Sequence, residues 1–428
     1  MRYSKPGLPN IGKYTNHRGR TGFGSLVEST QRPSYNTHVQ NLNSGYTTHR
    51  NQSGICEQFL IRRSFGGSRT LLADHPVHQW TVGSSYADIS SKMAPFSNLD
   101  LVKAVDIFPY DQEGLAKAFS EPLYTLLHRT SSDKDVIIGY MHPPVVQSLF
   151  SIPETIRGPL EIDPDSRTIR AFDLPTEAER TKVVTDVMQY WRANGPWEIV
   201  KKWRNEPWPV YSSDDGELLY SVERAGAGLL GVMRYGVHMT GYVKDAGAKH
   251  GIKIWVPKRA SNKSNYPGML DNTVAGGLMT AEDPFECIIR EADEEADLPE
   301  ALMRERCKVA GTVVYLYVTD ERAGGERDLI YPETQWVYDI ELPADIKPTP
   351  KDGEAEAFYL WTVEEVQEAM ARGEFKPNCA LVLLDFFIRR GILTKENEPD
   401  FDELVRGMHR KTPFPGPHQT GAPSFSLR

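Results

Sequence analysis

The stretch Gly276-Gly277-Leu278-Met279-Thr280-Ala281-Glu282-Asp283-Pro284-Phe285-Glu286-Cys287-Ile288-Ile289-Arg290-Glu291-Ala292-Asp293-Glu294-Glu295-Ala296-Asp297-Leu298 carries the signals from which fold and chemistry are read. Asp283 is a helix N-cap, Pro284 sits at the first helical position, where its missing N–H costs nothing, and Glu286 is placed to close a capping box. At about 100° per residue, Phe285, Ile288, Ile289, Ala292 and Ala296 share one narrow stripe that must be buried. Glu291, Glu294 and Glu295 share an arc of roughly 100° beside it. Carboxylates stacked at these spacings repel by about a few tenths of a kcal/mol per pair. A bare E-x-x-E-E is most often a solvated acidic face. The alternative is a hard divalent cation, since magnesium is held through a few carboxylates together with phosphate oxygens.

Outward from this helix, strands and helices alternate from about residue 225 to 407. Val237–Val243, Lys253–Val256, Val309–Val318, Thr334–Leu342 and Phe358–Trp361 read as strands. Two further helices have start and stop signals: Thr362 with Glu365 three residues on, stopping at Gly373, and Pro377 opening a helix that Gly391 follows. The fold class expected is α/β (α+β), with a mixed sheet sandwiched between helices. Before it, residues 93–224 read as a small α+β companion domain. A helix opens at Leu99, Asp135–Tyr140 is a strand, and Leu160–Asp163 and Thr168–Phe172 form a hairpin about Pro164-Asp165-Ser166. A helix capped by Thr176 runs to Asn194, with Trp197, Trp203 and Trp208 beyond it. These tryptophans read as core or pocket wall rather than a base-stacking platform, which would need a basic surface.

The 428 residues carry a formal charge of −9, which averages two unlike stretches. Residues 1–92 hold eleven Lys/Arg against four Asp/Glu, leaving −16 on the remainder. An acidic body argues against non-specific nucleic-acid binding, and no apolar run reaches the roughly 18 residues of a membrane span. The four cysteines have no paired spacing, which favours a reducing, cytoplasmic setting over a disulfide framework. The division expected is 1–92, a disordered basic extension; 93–224, the companion domain; 225–410, the main domain; and 411–428, a flexible tail. The extension has the Arg-rich, acid-poor texture of a mitochondrial targeting segment but no amphipathic helix near Met1. No methionine lies between Met1 and Met93, so a translation start at Met93 is the other reading.

From Gly276 the spacing is five residues to Glu282, seven to Arg290-Glu291, then Ala292, a variable residue and Glu294-Glu295. This resembles the Nudix box, G-x5-E-x7-R-E-U-x-E-E-x-G-U, and departs from it only at Asp297, where the family has glycine. Asp is one of the few other residues that tolerate the left-handed conformation. The resemblance implies an α-β-α sandwich and a hydrolase that cleaves a diphosphate with magnesium or manganese. Glu291, Glu294 and Glu295 would be metal ligands, Glu282 a metal-shell or electrostatic partner and Arg290 an orienting partner for the helix carboxylates. The general base would be Glu294 or Glu295, or else Glu354 or Glu356 in the Asp352-Gly353-Glu354 loop. Lys258 and Arg259 are candidates to meet substrate phosphate.

Flanking segments, among them Ile254-Trp255-Val256-Pro257-Lys258-Arg259, Tyr266-Pro267-Gly268-Met269-Leu270-Asp271-Asn272 and Phe375-Lys376-Pro377-Asn378-Cys379, resemble the thiamine-pyrophosphokinase-related Nudix proteins. That likeness implies a small-molecule substrate, an oxidised or damaged thiamine diphosphate cleaved to the monophosphate and phosphate. Sanitation of oxidised nucleotides such as 8-oxo-dGDP is the enzymatic rival, and a non-catalytic ligand-binding module the other. His238 reads as a core or pocket histidine, Cys287 as a small apolar residue and Asn378 as a helix cap.

Overall fold

The computed structural model describes residues 94–119, 121–320 and 325–420. The expectations placed on residues 1–92, and on a start at Met93, lie outside the described residues. Three sheets form. β1 (Tyr124–Arg129), β2 (Asp135–Met141), β3 (Leu160–Asp163) and β4 (Thr168–Ala171) make a sheet in the order β2-β1-β4-β3. β5 (Pro207–Tyr211) and β6 (Leu218–Glu223) pair as an antiparallel hairpin. The third sheet contains β7 (Arg234–Lys244), β8 (Ile252–Arg259), β10 (Lys308–Val318), β11 (Ile330–Glu341) and β12 (Ala355–Thr362) in the order β10-β11-β7-β8-β12. β9 (Val274–Gly277) also pairs with β7, antiparallel. The central β7–β11 pair is parallel and its other neighbours are antiparallel, so the sheet is mixed.

Helices cover both faces of this sheet. Val237, Met239, Trp336 and Tyr338 share one core cluster with Ile288, Ile289 and Ala292 of the helix Pro284–Ala296. Tyr242, Ile254, Val313 and Val337 share the other with the helix Pro377–Arg389. Every residue of that second helix from Cys379 to Phe387 is buried, so it is apolar nearly all round rather than striped. Its burial explains why Pro377 can open it so close to the sheet: the first turn has no N–H partner to lose.

The expected capping devices form at Thr176 and Thr362, whose hydroxyls each accept from the N–H three residues on while Glu179 and Glu365 return to the cap. At Asp283 the outcome differs. Asp283 Oδ1 accepts from the Phe285 and Glu286 N–H groups at 2.8 and 3.2 Å, but Glu286 closes no capping box and pairs with Arg304 at 2.7 Å instead. An arginine on the neighbouring helix Glu300–Arg306 offers a charged partner, which outweighs one neutral N–H. Residues 411–420 were expected to begin a flexible tail; Phe414 and His418 are instead buried, and Phe414 packs edge-on to Tyr140 at 5.3 Å. The apolar burial of one phenylalanine, worth about 2 kcal/mol, outweighs the loop-like Pro-Gly composition there. Among the described residues, no helix is long and apolar enough to cross a membrane.

Candidate active site

β9 delivers Gly276 beside the acidic helix, and its register against β7 places Gly276 opposite Val237. A Cβ at Gly276 would lie 2.2 Å from Glu291 Oε1, so only glycine lets the carboxylate approach the strand. The helix beyond is fixed by its buried stripe; Cys287, Ile288, Ala292 and Ala296 are all fully buried, and the Cys287 thiol, expected to be a small apolar group, also meets the Gly277 carbonyl at 3.6 Å and Arg290 Nη2 at 3.5 Å. Asp297 ends the helix in the left-handed conformation at φ 53°, the geometry for which glycine is the usual residue.

Arg290 gathers the carboxylates. Its Nε donates to Glu282 Oε1 at 2.8 Å, and Nη1 donates to Glu291 Oε1 at 3.0 Å and to Glu294 Oε2 at 2.9 Å. Glu282 Oε2 also accepts the Met279 N–H at 3.3 Å, which ties the loop to the helix. Glu295 turns to the strand, where its Oε2 accepts the Ala275 N–H at 3.1 Å. Burial pushes the Glu291 carboxyl up to about 7, against the pull of Arg290. Burial, with the neighbouring Glu291 charge, raises Glu295 well above the carboxylate range, and the Ala275 N–H offsets only part of this. One guanidinium therefore does not hold the cluster ionised: burial favours the protonated form of Glu291 and Glu295, and a cation among them would favour the carboxylates instead.

These side chains line a cavity of about 460 Å³. Its opposite walls come from distant segments: Trp208 of β5, Arg224 just after β6, Arg234 and His238 of β7, Tyr331, Glu333 and Gln335 of β11. The β5–β6 hairpin is pinned to the box loop by the Thr280 N–H, which donates to the Pro207 carbonyl at 2.8 Å, and by the Thr280 hydroxyl on Ser221 at 2.9 Å. Trp208 thus closes the cavity as a pocket wall. Its ring has the guanidinium carbons of Arg224 and Arg234 at 5.1 and 4.8 Å from its centroid.

Four residues were expected to contact substrate. Arg259 and Glu354 line the cavity, whereas Lys258 and Glu356 do not: they pair with each other at 2.9 Å on the neighbouring strands. Arg259 is already engaged, donating to Asp271 at 2.6 Å and to the Tyr266 and Asn265 carbonyls at 3.1 and 3.0 Å, so it tethers the loop beneath the cavity. Glu354 pairs with Lys263, and although burial opposes ionisation that partner holds it below its ordinary value. Trp208, read from the sequence as core or pocket wall, takes the second role, whereas Arg224, Arg234, Glu333 and Gln335 were not identified from the sequence. The available signal was the alternation Tyr331-Glu333-Gln335, polar residues on one face of an otherwise buried strand.

A second cluster lies deeper. Ligand atoms of His238, Asp271 and Cys379 fall within 4.8 Å of one another, a donor set that could hold a metal ion. Here those atoms are met by protein groups. Asp271 accepts from Arg259 at 2.6 Å and from the Cys379 thiol at 2.6 Å, and His238 Nδ1 bonds Asn272 Oδ1 at 2.7 Å. Burial lowers His238 to about 4, so the imidazole is neutral near pH 7.

A NUDIX domain model matches residues 238–379, and a model described as a domain of unknown function, DUF4743, matches 133–234. Nudix hydrolase 20, chloroplastic, of Arabidopsis thaliana is 34% identical over 284 residues, covering 65% of this chain and 72% of that protein. The chain belongs to the Nudix hydrolases. Nudix hydrolase 24, chloroplastic, of the same plant is 36% identical over 229 residues, 53% of this chain and 59% of that protein. Uncharacterized protein YJR142W of Saccharomyces cerevisiae is 37% identical over 325 residues, 75% of this chain and 92% of that protein. As a Nudix hydrolase the protein is an enzyme that cleaves phosphoanhydride bonds, and members of the family generally use a divalent metal.

Proposed function

We propose that this Nudix hydrolase cleaves the diphosphate of a thiamine-diphosphate-like substrate, in an oxidised or damaged form, to the monophosphate and phosphate. The observation that carries the reading is the composition of the cavity lining: a carboxylate cluster together with planar aromatic rings, Trp208 and Tyr331. The first suits a metal-bound diphosphate and the second a flat heterocycle.

Glu291, Glu294 and Glu295 would hold Mg2+, with Mn2+ as a substitute, and their clustering along one helix beside a cavity is the feature that fits them to it. Bound there, the cation supplies charge neutralisation at the scissile phosphate and acidifies water. Arg290 holds Glu291 and Glu294 in register through its single Nη1 and anchors Glu282 through Nε. Lys376 lines the same cavity and offers an ammonium group to phosphate oxygens, while Lys263, also in the lining, pairs with Glu354. The proton of the attacking water goes to Glu294, Glu295 or Glu354, which line the cavity; Glu356, outside it, is removed from the candidates. Phosphoryl transfer needs little more than such positioning and neutralisation. The three described cysteines are free and buried, which supports placement in a reducing compartment such as the cytoplasm.

The test is phosphate release from 2-oxo-thiamine diphosphate with Mg2+, beside 8-oxo-dGDP at equal concentration. Faster release from the thiamine compound supports the reading. Preference for the nucleotide moves the assignment to oxidised-nucleotide sanitation.

A further inference from the structure

The register of β7 against β11 sets Glu333 opposite Arg234 and Gln335 opposite Gly236. All four residues line the cavity. The hydrogen bonds among their neighbours have only one consistent direction. Arg234 Nη1 donates to Glu333 Oε1 at 2.8 Å, and the Tyr315 hydroxyl donates to Glu333 Oε2 at 2.5 Å. Gln335 Nε2 faces Glu333 Oε2 at 3.1 Å and the Tyr315 oxygen at 3.0 Å, two acceptors close enough together to share one of its protons. The reverse amide orientation would set its carbonyl against a carboxylate.

Gln335 Oε1 is thereby fixed as a bare acceptor. It is buried without any hydrogen-bond partner, and the residue is only 6% exposed. Arg234 Nε is left as a bare donor in the same wall. A Cβ at Gly236 would stand 2.3 Å from Gln335 Oε1, so the strand beside it is cleared for this oxygen. An unmet buried acceptor costs about 1–3 kcal/mol, and such groups are rare unless something else meets them. Trp208 Nε1, on another wall of the same cavity, is likewise unmet, whereas the Tyr220 hydroxyl and Trp191 Nε1 belong to residues away from it.

We propose that Gln335 is a specificity-determining residue whose Oε1 accepts a hydrogen bond from an N–H on the planar ring of the substrate. The proposal rests on the reading that this cavity holds the diphosphate substrate. It narrows the substrate class to diphosphates of a heteroaromatic ring with an N–H donor, excluding purely hydrocarbon or alkyl diphosphates. Arg234 Nε then favours a ring acceptor beside that donor.

The experiment measures kcat and KM for 2-oxo-thiamine diphosphate, 8-oxo-dGDP and benzyl diphosphate, whose ring has no N–H, in the wild type and in Gln335→Met. The better of the two heterocyclic substrates should lose about 10- to 100-fold in kcat/KM, carried by KM, and the heterocycle-to-benzyl ratio should fall by the same factor. An equal loss on benzyl diphosphate, or none on the heterocycle, overturns the assignment of Gln335. Should the variant not fold, the wild type alone decides it: replacing the N–H hydrogens of the better substrate by methyl, on the exocyclic amino group of 2-oxo-thiamine diphosphate or on the ring nitrogens of 8-oxo-dGDP, should cost at least about tenfold, and unchanged turnover contradicts it. Hydrolysis of none of the three by the wild type overturns the substrate reading itself, which separates the two failures.

Discussion

Glu291 and Glu295 hold carboxylates where water is largely excluded, and the apo protein bears that cost. For Glu291, with a carboxyl near 7 in the fold against about 4.5 unfolded, the sign is definite. Below pH 4.5 both states bind the proton and nothing is lost. Between pH 4.5 and 7 the unfolded chain releases it and the folded chain retains it, so stability falls as pH rises, by on the order of 3 kcal/mol in total. Urea unfolding in EDTA at pH 5 and pH 8 should therefore show a larger loss for the wild type than for Glu291→Gln. Equal losses in the two proteins would remove the desolvation account. The same reasoning predicts that adding Mg2+ at pH 8 raises the wild-type midpoint and leaves Glu291→Gln much less affected.

At the scale of elements, the loop from β9 and the helix Pro284–Ala296 act as one unit, because Gly276 admits Glu291 and Glu282 returns to Arg290. Gly276→Ala puts a methyl 2.2 Å from the Glu291 oxygen and should lower kcat by at least about tenfold with little change in thermal midpoint. A fall in stability without a fall in activity would contradict the role given to that approach. Asp297→Gly relieves a left-handed residue at the helix end and should raise the unfolding free energy by about 0.5–1 kcal/mol in urea titration. This part of the molecule was legible in the sequence, since cap, buried stripe and carboxylates are contiguous and follow the 3.6-residue period. The strands β1 and β9 and the β5–β6 hairpin were not: β9 spans only Val274–Gly277, and β5 contains Pro207 and Pro209, which argue against a strand. In β5 both prolines sit in a two-stranded hairpin whose second edge needs no ladder partner.

Over the whole molecule, the cavity is assembled from segments that are remote in sequence. Trp208 reaches it because Thr280 ties the hairpin to the box loop, and Gln335 faces it because β11 pairs with β7 in one particular register. No local pattern encodes either fact, so the carboxylate half of the site could be read from the chain while the way β11 completes the cavity could not. Lys258 shows the converse error: it follows a strand in a suggestive position, yet its partner across the β8–β12 pair, Glu356, takes up its charge. Trp208→Ala should open the wall and raise KM several-fold with a smaller effect on kcat, measured by steady-state phosphate release.

The central claim is that the carboxylate cluster around Glu291, Glu294 and Glu295 performs metal-dependent diphosphate hydrolysis in this cavity. Phosphate release from 2-oxo-thiamine diphosphate should require Mg2+, stop on chelation, and fall about 100-fold or more in Glu295→Gln while the variant keeps the wild-type far-UV spectrum. Release that survives both EDTA and Glu295→Gln would contradict the account.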